Sequence, residues 1–331
     1  MNKVILLAKR PVGKPTLSDF KFIEEAKPTI KDGEMLLKTT FVSVDPYLRG
    51  RMSEAKSYVP PLQLNEPVQS GLIAEVTESK NPDFMVGDFV SGMLDWKEYQ
   101  ASNGIGLTKI TDNSSNLSAY LGILGMTGLT AYLGLTEIGS PKKGETLVVS
   151  GAAGAVGSVV GQIGKILGCR VIGLAGTDEK TALLKSKFGF DEAINYKTTN
   201  YIKKAIEDAA PNGVDIYFDN VGGEISDAVL ANINKFGRVA VCGAISLYNE
   251  TEVQMGPRVQ PILIKNSVLM QGFIVSNYAA KFPQAIEQLN NWLKEGKLTY
   301  TETVVEGFDQ IPQAFINLFE GKNEGKMIVK I

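Results

Sequence analysis

The sequence predicts an α/β protein in which a doubly wound parallel sheet is combined with a second, mostly β domain. From residue 120 onward, strand-like runs alternate with helical runs, the order typical of a parallel sheet covered by helices. The first 120 residues instead contain short strand-like runs between Pro and Gly turns, without a long amphipathic helix. The end of the chain returns to a strand, a short helix and a final strand. We therefore expect a β-rich domain of residues 1–121 and 300–331, and a parallel-sheet domain of residues 122–299.

Each predicted element is a patterned apolar run bounded by turn-forming or charged residues. In the β-rich part, the predicted strands are Lys3–Ala8, Gly33–Val44, Gln69–Thr77, Asp88–Leu94 and Glu98–Ala101. In the parallel-sheet part they are Thr146–Ser150, Arg170–Leu174, Glu192–Asn195, Gly213–Asp219, Gly237–Val241 and Val268–Ile274. The predicted helices are Ala155–Leu167, Glu179–Phe188, Tyr201–Ala209, Glu224–Asn232 and Lys281–Glu295. The uncharged segment Ala119–Leu135 is broken by Gly and Thr and is too short for a membrane span, so a buried helical segment is expected.

The most informative element is the glycine turn between the first strand and the first helix of the parallel-sheet part. Gly151, Gly154 and Gly157 allow the backbone to approach a ligand closely, and the N–H groups and positive dipole of a helix start favour a pyrophosphate. A second strand-like run, Cys169–Leu174, follows the helix and completes a βαβ unit. This order is typical of a Rossmann domain and predicts a dinucleotide ligand and redox chemistry.

The glycine turn departs from the usual G-x-G-x-x-G pattern, because Ala152 stands at the first glycine position. An alternative interpretation is a turn of small residues that only lets a helix pack tightly on a sheet. The complete order of strand, turn, helix and second strand favours the cofactor site.

The composition excludes several other classes of function. Charged residues make up 21% of the chain, hydrophobic residues 44%, and the net charge is −2, as in ordinary globular proteins. Because Lys and Arg are scattered, no nucleic-acid partner is expected. The apolar run in Met1–Lys9 is too short for a signal peptide, so we expect a cytoplasmic protein without a membrane partner.

The chain contains no histidine, and its only cysteines, Cys169 and Cys242, lie in separate strand-like runs. Two distant cysteines without histidine make a poor zinc site, so no metal is expected. Both thiols are expected to be buried and reduced. Acid–base chemistry must then come from Tyr, Lys, a carboxylate, water or the cofactor itself.

Six motifs, spread over nearly the whole chain, carry a resemblance to a known family: Val42–Met52, Gly125–Tyr132, Ala152–Ser158, Phe218–Gly223, Cys242–Asn249 and Asn323–Lys326. They resemble the zinc-free medium-chain dehydrogenase/reductase superfamily, and more narrowly its prostaglandin reductase, leukotriene 12-hydroxydehydrogenase and alkenal double-bond reductase family. Zinc-dependent relatives carry a cysteine near Ser43–Asp45 and a four-cysteine lobe, and this chain has neither. The resemblance implies a GroES-like catalytic domain beside the Rossmann domain, an active site in the cleft between them, and a homodimer with Val268–Ile274 as the edge strand.

The cofactor choice depends on the end of the second strand, where an acidic residue in NAD-binding sheets binds the ribose 2′-OH. Residues 175–177 are Ala-Gly-Thr, which leave room for a 2′-phosphate. Asp178 fits a helix cap, and Lys180 can supply the positive charge, although a lysine there is also typical of a solvated helix surface. The resemblance matches Lys180 and Tyr196 to 2′-phosphate contacts, so NADP(H) is expected rather than NAD(H).

The resemblance also implies the remaining cofactor contacts. It places Asn220 and Thr127 on the nicotinamide side, Asn323 in a contact from the C-terminal tail, and the backbone of Phe273–Val275 at the carboxamide; both asparagines are also typical turn formers. The full predicted cofactor-binding set is Thr127, Gly151, Gly154, Ala155, Val156, Gly157, Gly176, Lys180, Tyr196, Asn220, Cys242, Gly243, Ala244, Ile245, Tyr248, Phe273, Val275 and Asn323.

Two tyrosines are the predicted catalytic residues. Without histidine, tyrosine is the natural neutral proton donor, because its pKa of about 10 keeps it protonated. Tyr248 follows the strand Gly237–Val241 at the carboxyl end of the sheet, where ligands bind, and it matches the tyrosine that the family places beside the nicotinamide ribose. The alternatives are that Tyr248 only orients the ribose 2′-OH, or that it packs as an ordinary loop aromatic.

Tyr47 is the second candidate, in a predicted turn after a strand of the β-rich part. Contact with the substrate is the alternative to a catalytic role. Arg49 and Arg51 follow it and are interpreted as surface charges.

The sequence thus predicts an NADPH-dependent reductase of the C=C bond in α,β-unsaturated aldehydes or ketones, with a small-molecule substrate. NADPH-dependent quinone reduction is the alternative within the same family. Oxidation of a secondary alcohol needs a base that the chain lacks without zinc or histidine. A protein that binds NADPH without turnover is the alternative outside enzymes.

Overall fold

The computed structural model describes residues 1–111 and 116–331. The strands are β1 (Asn2–Leu7), β2 (Phe20–Glu25), β3 (Met35–Ser43), β4 (Gln69–Ser79), β5 (Phe89–Asp95), β6 (Tyr99–Ser102), β7 (Thr108–Ile110), β8 (Thr146–Ser150), β9 (Arg170–Ala175), β10 (Glu192–Asn195), β11 (Val214–Asp219), β12 (Ile233–Val241), β13 (Leu269–Gly272), β14 (Glu302–Glu306) and β15 (Lys326–Lys330). The α-helices are α1 (Leu48–Arg51), α2 (Met126–Leu133), α3 (Gly157–Ile166), α4 (Asp178–Ser186), α5 (Ile202–Ala209), α6 (Gly223–Leu230), α7 (Gln260–Asn266), α8 (Phe282–Lys294) and α9 (Ile311–Leu318).

Two compact units divide these elements. The β-rich unit consists of Met1–Leu121, Glu302–Asn323 and Met327–Ile331, and the Rossmann unit consists of Gly122–Thr301 and Glu324–Lys326. In the described part of the chain, no helix is long and apolar enough to cross a membrane.

The β-rich unit is built on a seven-stranded sheet with the order β14-β15-β3-β4-β5-β7, in which β6 also pairs with β3. Strands β1 and β2 form a separate antiparallel pair. Trp96 is fully buried in the core of this unit, with Phe20 stacked at a ring distance of 6.0 Å. The Trp96 indole N–H donates to Ser70 Oγ at 2.8 Å, so the largest core side chain has its polar atom satisfied.

The Rossmann unit contains a six-stranded sheet with the order β10-β9-β8-β11-β12-β13, and its paired strands are all parallel. Every residue of β8 is buried, which agrees with its continuous apolar sequence. The chain order reverses between β8 and β11, and in doubly wound sheets ligands bind at the carboxyl ends of the strands at this reversal. Strand β13 lies at the edge of the sheet, as predicted.

The strands β8 and β10 have the predicted bounds, whereas four elements were not predicted. The sequence analysis missed β2, because charged residues interrupt its apolar pattern, and α7, which lies in a polar, Pro-containing stretch. It also missed β7 and α1, which are only three and four residues long. The segment Ala119–Leu135 is not one helix. It contains the end of a 3₁₀ helix, then α2, and then the start of a π-helix; the extended backbone of Gly125 separates the 3₁₀ helix from α2.

Candidate active site

The turn after β8 has a backbone geometry that favours glycine at positions 151 and 157. Gly151 has a φ of +58°, in the left-handed region. A Cβ atom added to Gly157 would lie 2.4 Å from the carbonyl oxygen of Gly151, and one added to Gly154 would lie 3.2 Å from the same atom. The helix α3 therefore begins directly against the turn, and the positive end of its dipole lies where a pyrophosphate would be favoured.

The end of β9 differs from the prediction in the residue that caps the next helix. Thr177 is the N-cap of α4, and its Oγ1 accepts a hydrogen bond from the Lys180 N–H at 3.2 Å. Asp178, predicted to be the cap, is instead the first helical residue, and its carboxylate accepts from Asn195 Nδ2 at 2.7 Å. Thr and Asp are both good caps, and the extended backbone at Thr177 decided between them.

Gly176 lies beside a phenol and a lysine. A Cβ atom added to Gly176 would lie 2.7 Å from Tyr196 Oη and 3.3 Å from Lys197 Cε. Lys180 is half-buried, and burial lowers its pKa; the carboxylate of Glu324 acts in the opposite direction, and the positive charge of Lys197 lowers the pKa further. The end of β9 thus combines two lysines with a phenol, a donor set suited to a phosphate. Sequence analysis missed Lys197, although it directly follows Tyr196.

Asn220 is fixed at the reversal of strand order. Its side-chain amide donates to the Ser150 carbonyl at 2.7 Å, and its backbone N–H donates to Ser150 Oγ at 3.0 Å. Ser150 is the last residue of β8, and Asn220 directly follows β11. The side-chain carbonyl of Asn220 is therefore held at the carboxyl ends of the two central strands.

The loop after β12 contains four of the predicted cofactor residues and Tyr248. The N–H groups of Cys242 and Gly243 donate to the Asp219 carbonyl at 2.8 and 3.1 Å. A short 3₁₀ helix, Ile245–Leu247, follows and ends at Tyr248. Backbone hydrogen bonds thus attach this loop to the end of β11.

Tyr248 lies across the start of its own loop. Its Oη accepts a hydrogen bond from the Ala244 N–H at 3.4 Å, and a Cβ atom added to Gly243 would lie 3.1 Å from that oxygen. Burial raises the pKa of Tyr248, while the hydrogen bond from Ala244 lowers it. The phenol is therefore neutral at physiological pH and can donate its proton.

Thr127 and Phe273 belong to the same unit. Thr127 lies in the first turn of α2, and its buried Oγ1 has no hydrogen-bond partner among the described residues. This hydroxyl is thus available to a hydrogen-bonding group of a ligand. The Phe273 N–H donates to the Val241 carbonyl at 3.3 Å, so this N–H is not available for the carboxamide contact expected of Phe273–Val275.

Tyr47 and Asn323 belong to the β-rich unit. Tyr47 is half-buried immediately before α1, with its Oη 3.9 Å from Met93 Sδ. Burial, followed by the negative charge of Asp45, raises the pKa of Tyr47 far above its usual range. Asn323 lies in the turn between α9 and β15. Their grouping with the residues of the Rossmann unit stays a prediction.

Comparisons with known proteins agree on the family. Residues 3–110 match a family model described as the N-terminal domain of oxidoreductase, and residues 155–291 match one described as zinc-binding dehydrogenase. The chain is 57% identical over 329 residues to a putative NADP-dependent oxidoreductase, YfmJ, of Bacillus subtilis (strain 168), which covers 99% of this chain and 97% of that protein. It is 44% identical over 338 residues to a 2-alkenal reductase (NADP(+)-dependent) of Nicotiana tabacum, with 100% and 97% covered.

A solved structure is similar to this chain over nearly its whole length. The crystal structure of CurA in complex with NADPH from Vibrio vulnificus superposes with a TM-score of 0.94 and 43% identity, covering 99% of this chain and 98% of that one. The chain belongs to the zinc-free medium-chain dehydrogenases/reductases. The family predicted from the six sequence motifs is therefore confirmed.

The zinc-binding description of the second family model does not fit this medium-chain reductase. The sequence has no histidine, and no group of three or more potential metal ligands occurs in the residues that the structure describes. Cys169 and Cys242 are both free thiols; Cys169 is buried as expected, whereas Cys242 is only half-buried, because it lies in the loop after β12. Desolvation raises the pKa of Cys169 to about 11 and that of Cys242 to about 12. Protonated, separated thiols are poor zinc ligands.

Proposed function

We propose that this chain is an NADPH-dependent reductase of the C=C double bond in α,β-unsaturated aldehydes and ketones. The observation that carries the proposal is a neutral, half-buried tyrosine, Tyr248, on a loop attached to the carboxyl end of β11, at the reversal of strand order. This is where a doubly wound sheet binds a nicotinamide cofactor. A phenol at that position can donate a proton without zinc or histidine.

The residues of the Rossmann unit fit NADPH. The glycine turn and the positive end of the α3 dipole suit the pyrophosphate, and the lysine and phenol near Gly176 suit the 2′-phosphate. We assign Thr127 and Asn220 to the nicotinamide side; the buried hydroxyl of Thr127 without a partner among the described residues and the fixed side chain of Asn220 support this assignment. We propose residues 122–299 as the cofactor domain, and residues 1–121 and 300–331 as the catalytic domain.

When bound, NADPH supplies a hydride, which is transferred to the β-carbon of the substrate. Negative charge then develops on the carbonyl oxygen, and Tyr248 Oη–H is the donor that we assign to this oxygen. A proton must also reach the α-carbon, so the product gains two hydrogens. We propose that Tyr47 contacts the substrate. Its phenol is neutral because burial raises its pKa.

The names of the relatives support this assignment. One relative is named as a 2-alkenal reductase dependent on NADP(+), and another as an NADP-dependent oxidoreductase. The structure with a TM-score of 0.94 was solved in complex with NADPH.

The proposed function is tested by following NADPH oxidation with a medium-chain 2-alkenal, an enone and a benzoquinone, each repeated with NADH. We expect turnover with the alkenal or the enone, and a marked preference for NADPH. Turnover with the quinone alone would replace the proposal by quinone reduction. Tight NADPH binding without oxidation of any substrate would favour a binding protein.

We further propose a homodimer formed along β13. This strand pairs only with β12 in the described sheet, and its residue Leu269 is half exposed. An unpaired parallel edge can continue into a second sheet. Light scattering after size exclusion is expected to give twice the mass of 35.8 kDa, whereas a monomer would contradict this assignment.

A further inference from the structure

The carboxylate of Asp219 is buried at the end of β11, where only 2% of the residue is exposed. Four neutral groups donate hydrogen bonds to its Oδ1: Tyr217 Oη at 2.8 Å, Ser150 Oγ at 3.1 Å, Val221 N at 3.0 Å and Gly222 N at 2.9 Å. A buried carboxylate is costly to ionise unless several donors stabilise its charge. These four hydrogen bonds fix the position of the Asp219 carboxylate inside the Rossmann unit.

Asp219 connects the ends of three strands. Its side chain accepts from Ser150 at the end of β8, and its carbonyl accepts from Cys242 and Gly243, which follow β12. The Ser150 hydroxyl in turn accepts from the Asn220 N–H. The loop with Asn220 and the loop with Tyr248 are therefore both attached to this one residue.

The negative charge of Asp219 also acts on two groups of the loop after β12. It adds to the effect of burial in raising the pKa of Tyr248 and that of Cys242. The other contributions to Tyr248 come from Cys242, which acts in the same direction, and from the Ala244 N–H, which opposes it. A nearby anion disfavours the phenolate, so it favours the form that can donate a proton.

We propose that Asp219 is a positioning residue of the reductase: its carboxylate holds the start of the Asn220 loop against Ser150, and its carbonyl holds the start of the Cys242–Tyr248 loop. The same carboxylate also disfavours the phenolate form of Tyr248. The assignment rests on the proposed function, in which Tyr248 is the donor. Asp219 does not itself contact the substrate or the cofactor in this proposal, because its carboxylate is enclosed by donors from the protein.

Asp219→Asn tests the proposal, because the amide keeps the shape and removes the charge. Asp215→Asn is the matched control. Asp215 lies on the same strand, and its carboxylate accepts from the Thr146 N–H at 2.8 Å and from Asn234 Nδ2 at 2.8 Å. It thus joins strands in the same manner, but near the other end of β11. Both variants are compared with wild type in kcat, in KM for NADPH and the substrate, in Tm, and in the pH dependence of kcat.

We expect Asp219→Asn to lower kcat by about 10-fold or more, and to move the alkaline limit of kcat to lower pH by about half a unit or more. Asp215→Asn should lower Tm without changing kcat or its pH profile. The charge effect is also measured without turnover, from the near-ultraviolet absorbance of tyrosinate. Subtracting the absorbance titration of the corresponding Tyr248→Phe derivative from that of each protein isolates the titration of Tyr248. This titration should occur at lower pH in Asp219→Asn than in wild type.

A wild-type kcat and pH profile in Asp219→Asn, or an equal pH shift in Asp215→Asn, would overturn the proposal. If Asp219→Asn does not fold, Ser150→Ala removes one donor and leaves the charge in place. This variant should lower kcat several-fold without moving the Tyr248 titration, and an unchanged kcat would overturn the positioning role. The absence of wild-type turnover on enals would refute the proposed function alone, since the tyrosinate titration remains a separate test of the charge.

Discussion

Replacing Tyr248 with Phe removes one oxygen atom and little else from the folded protein. Among the described residues, Tyr248 Oη accepts one hydrogen bond, from the Ala244 N–H, at a long 3.4 Å. Loss of such a bond costs at most about 1 kcal/mol, and the aromatic ring still fills its space. We therefore expect Tm to fall by no more than about 2–4 °C.

The expected effect on catalysis is much larger than the effect on stability. A donor directed at a developing oxyanion contributes about 10²–10³-fold to kcat, equivalent to about 3–4 kcal/mol. Tyr248→Phe should therefore lower kcat by about this factor, because no other described group is assigned to the carbonyl oxygen. KM for NADPH should change by less than about 3-fold, since the glycine turn and Lys180 are untouched.

Steady-state kinetics with an enal, together with thermal unfolding, check this prediction. Tyr278→Phe is the matched control, because Tyr278 is also half-buried in the Rossmann unit and its Oη accepts one weak bond, from Gln271 at 3.5 Å. The control should retain wild-type kcat. A kcat for Tyr248→Phe within about 3-fold of wild type would refute the reasoning and assign the proton to solvent or to the ribose hydroxyl.

The remaining predictions concern the cofactor. Lys180→Ala should raise KM for NADPH by about 10-fold or more, because a charged hydrogen bond contributes about 1.5–3 kcal/mol. KM for NADH, which has no 2′-phosphate, should stay nearly unchanged. The control is Lys185→Ala, on the same helix and paired with Glu192 at 3.1 Å, which should change neither KM. Because burial lowers the pKa of Lys180, this side chain should lose its charge, as the pH is raised, before the pH reaches the usual lysine pKa of about 10.4. KM for NADPH should therefore increase in this alkaline range, and a KM that stays constant up to that pH would contradict the prediction. Gly157→Ala should weaken NADPH binding and lower the free energy of unfolding by about 1–3 kcal/mol in denaturant titrations, because its Cβ would lie 2.4 Å from a carbonyl oxygen. In the control Gly272→Ala, the added Cβ would have no heavy atom within 4 Å, so the free energy of unfolding should stay close to that of wild type.

The fold and the cofactor turn were predictable because their signals are local. The strand β8 is a continuous apolar run followed by glycines. The left-handed φ at position 151 and the lack of space for a Cβ at position 157 both favour glycine, so the sequence itself shows where the turn lies. The cap of α4 was predicted wrongly for a local reason as well. Thr177 and Asp178 are adjacent and both can cap, so composition alone could not separate them.

The contacts around Asp219 were not predictable, because they depend on residues far apart in the sequence. Ser150 and Asp219 are separated by 69 positions, and only the sheet order brings the ends of β8 and β11 together. Lys197 was missed because an exposed lysine after a strand carries no signal by itself. Tyr248 and Asn220 were found through their resemblance to family motifs, and the structure adds the hydrogen bonds that fix them.

Reduction of the C=C bond delivers a hydride to the β-carbon and a proton to the α-carbon of the substrate. NMR analysis of the product formed from a 2-alkenal and NADPH in deuterated water tests this reaction most directly. We expect a saturated aldehyde with one deuterium at the α-carbon and none at the β-carbon, because the β-hydrogen comes from the cofactor. An allylic alcohol, or a saturated product with deuterium at the β-carbon, would contradict it.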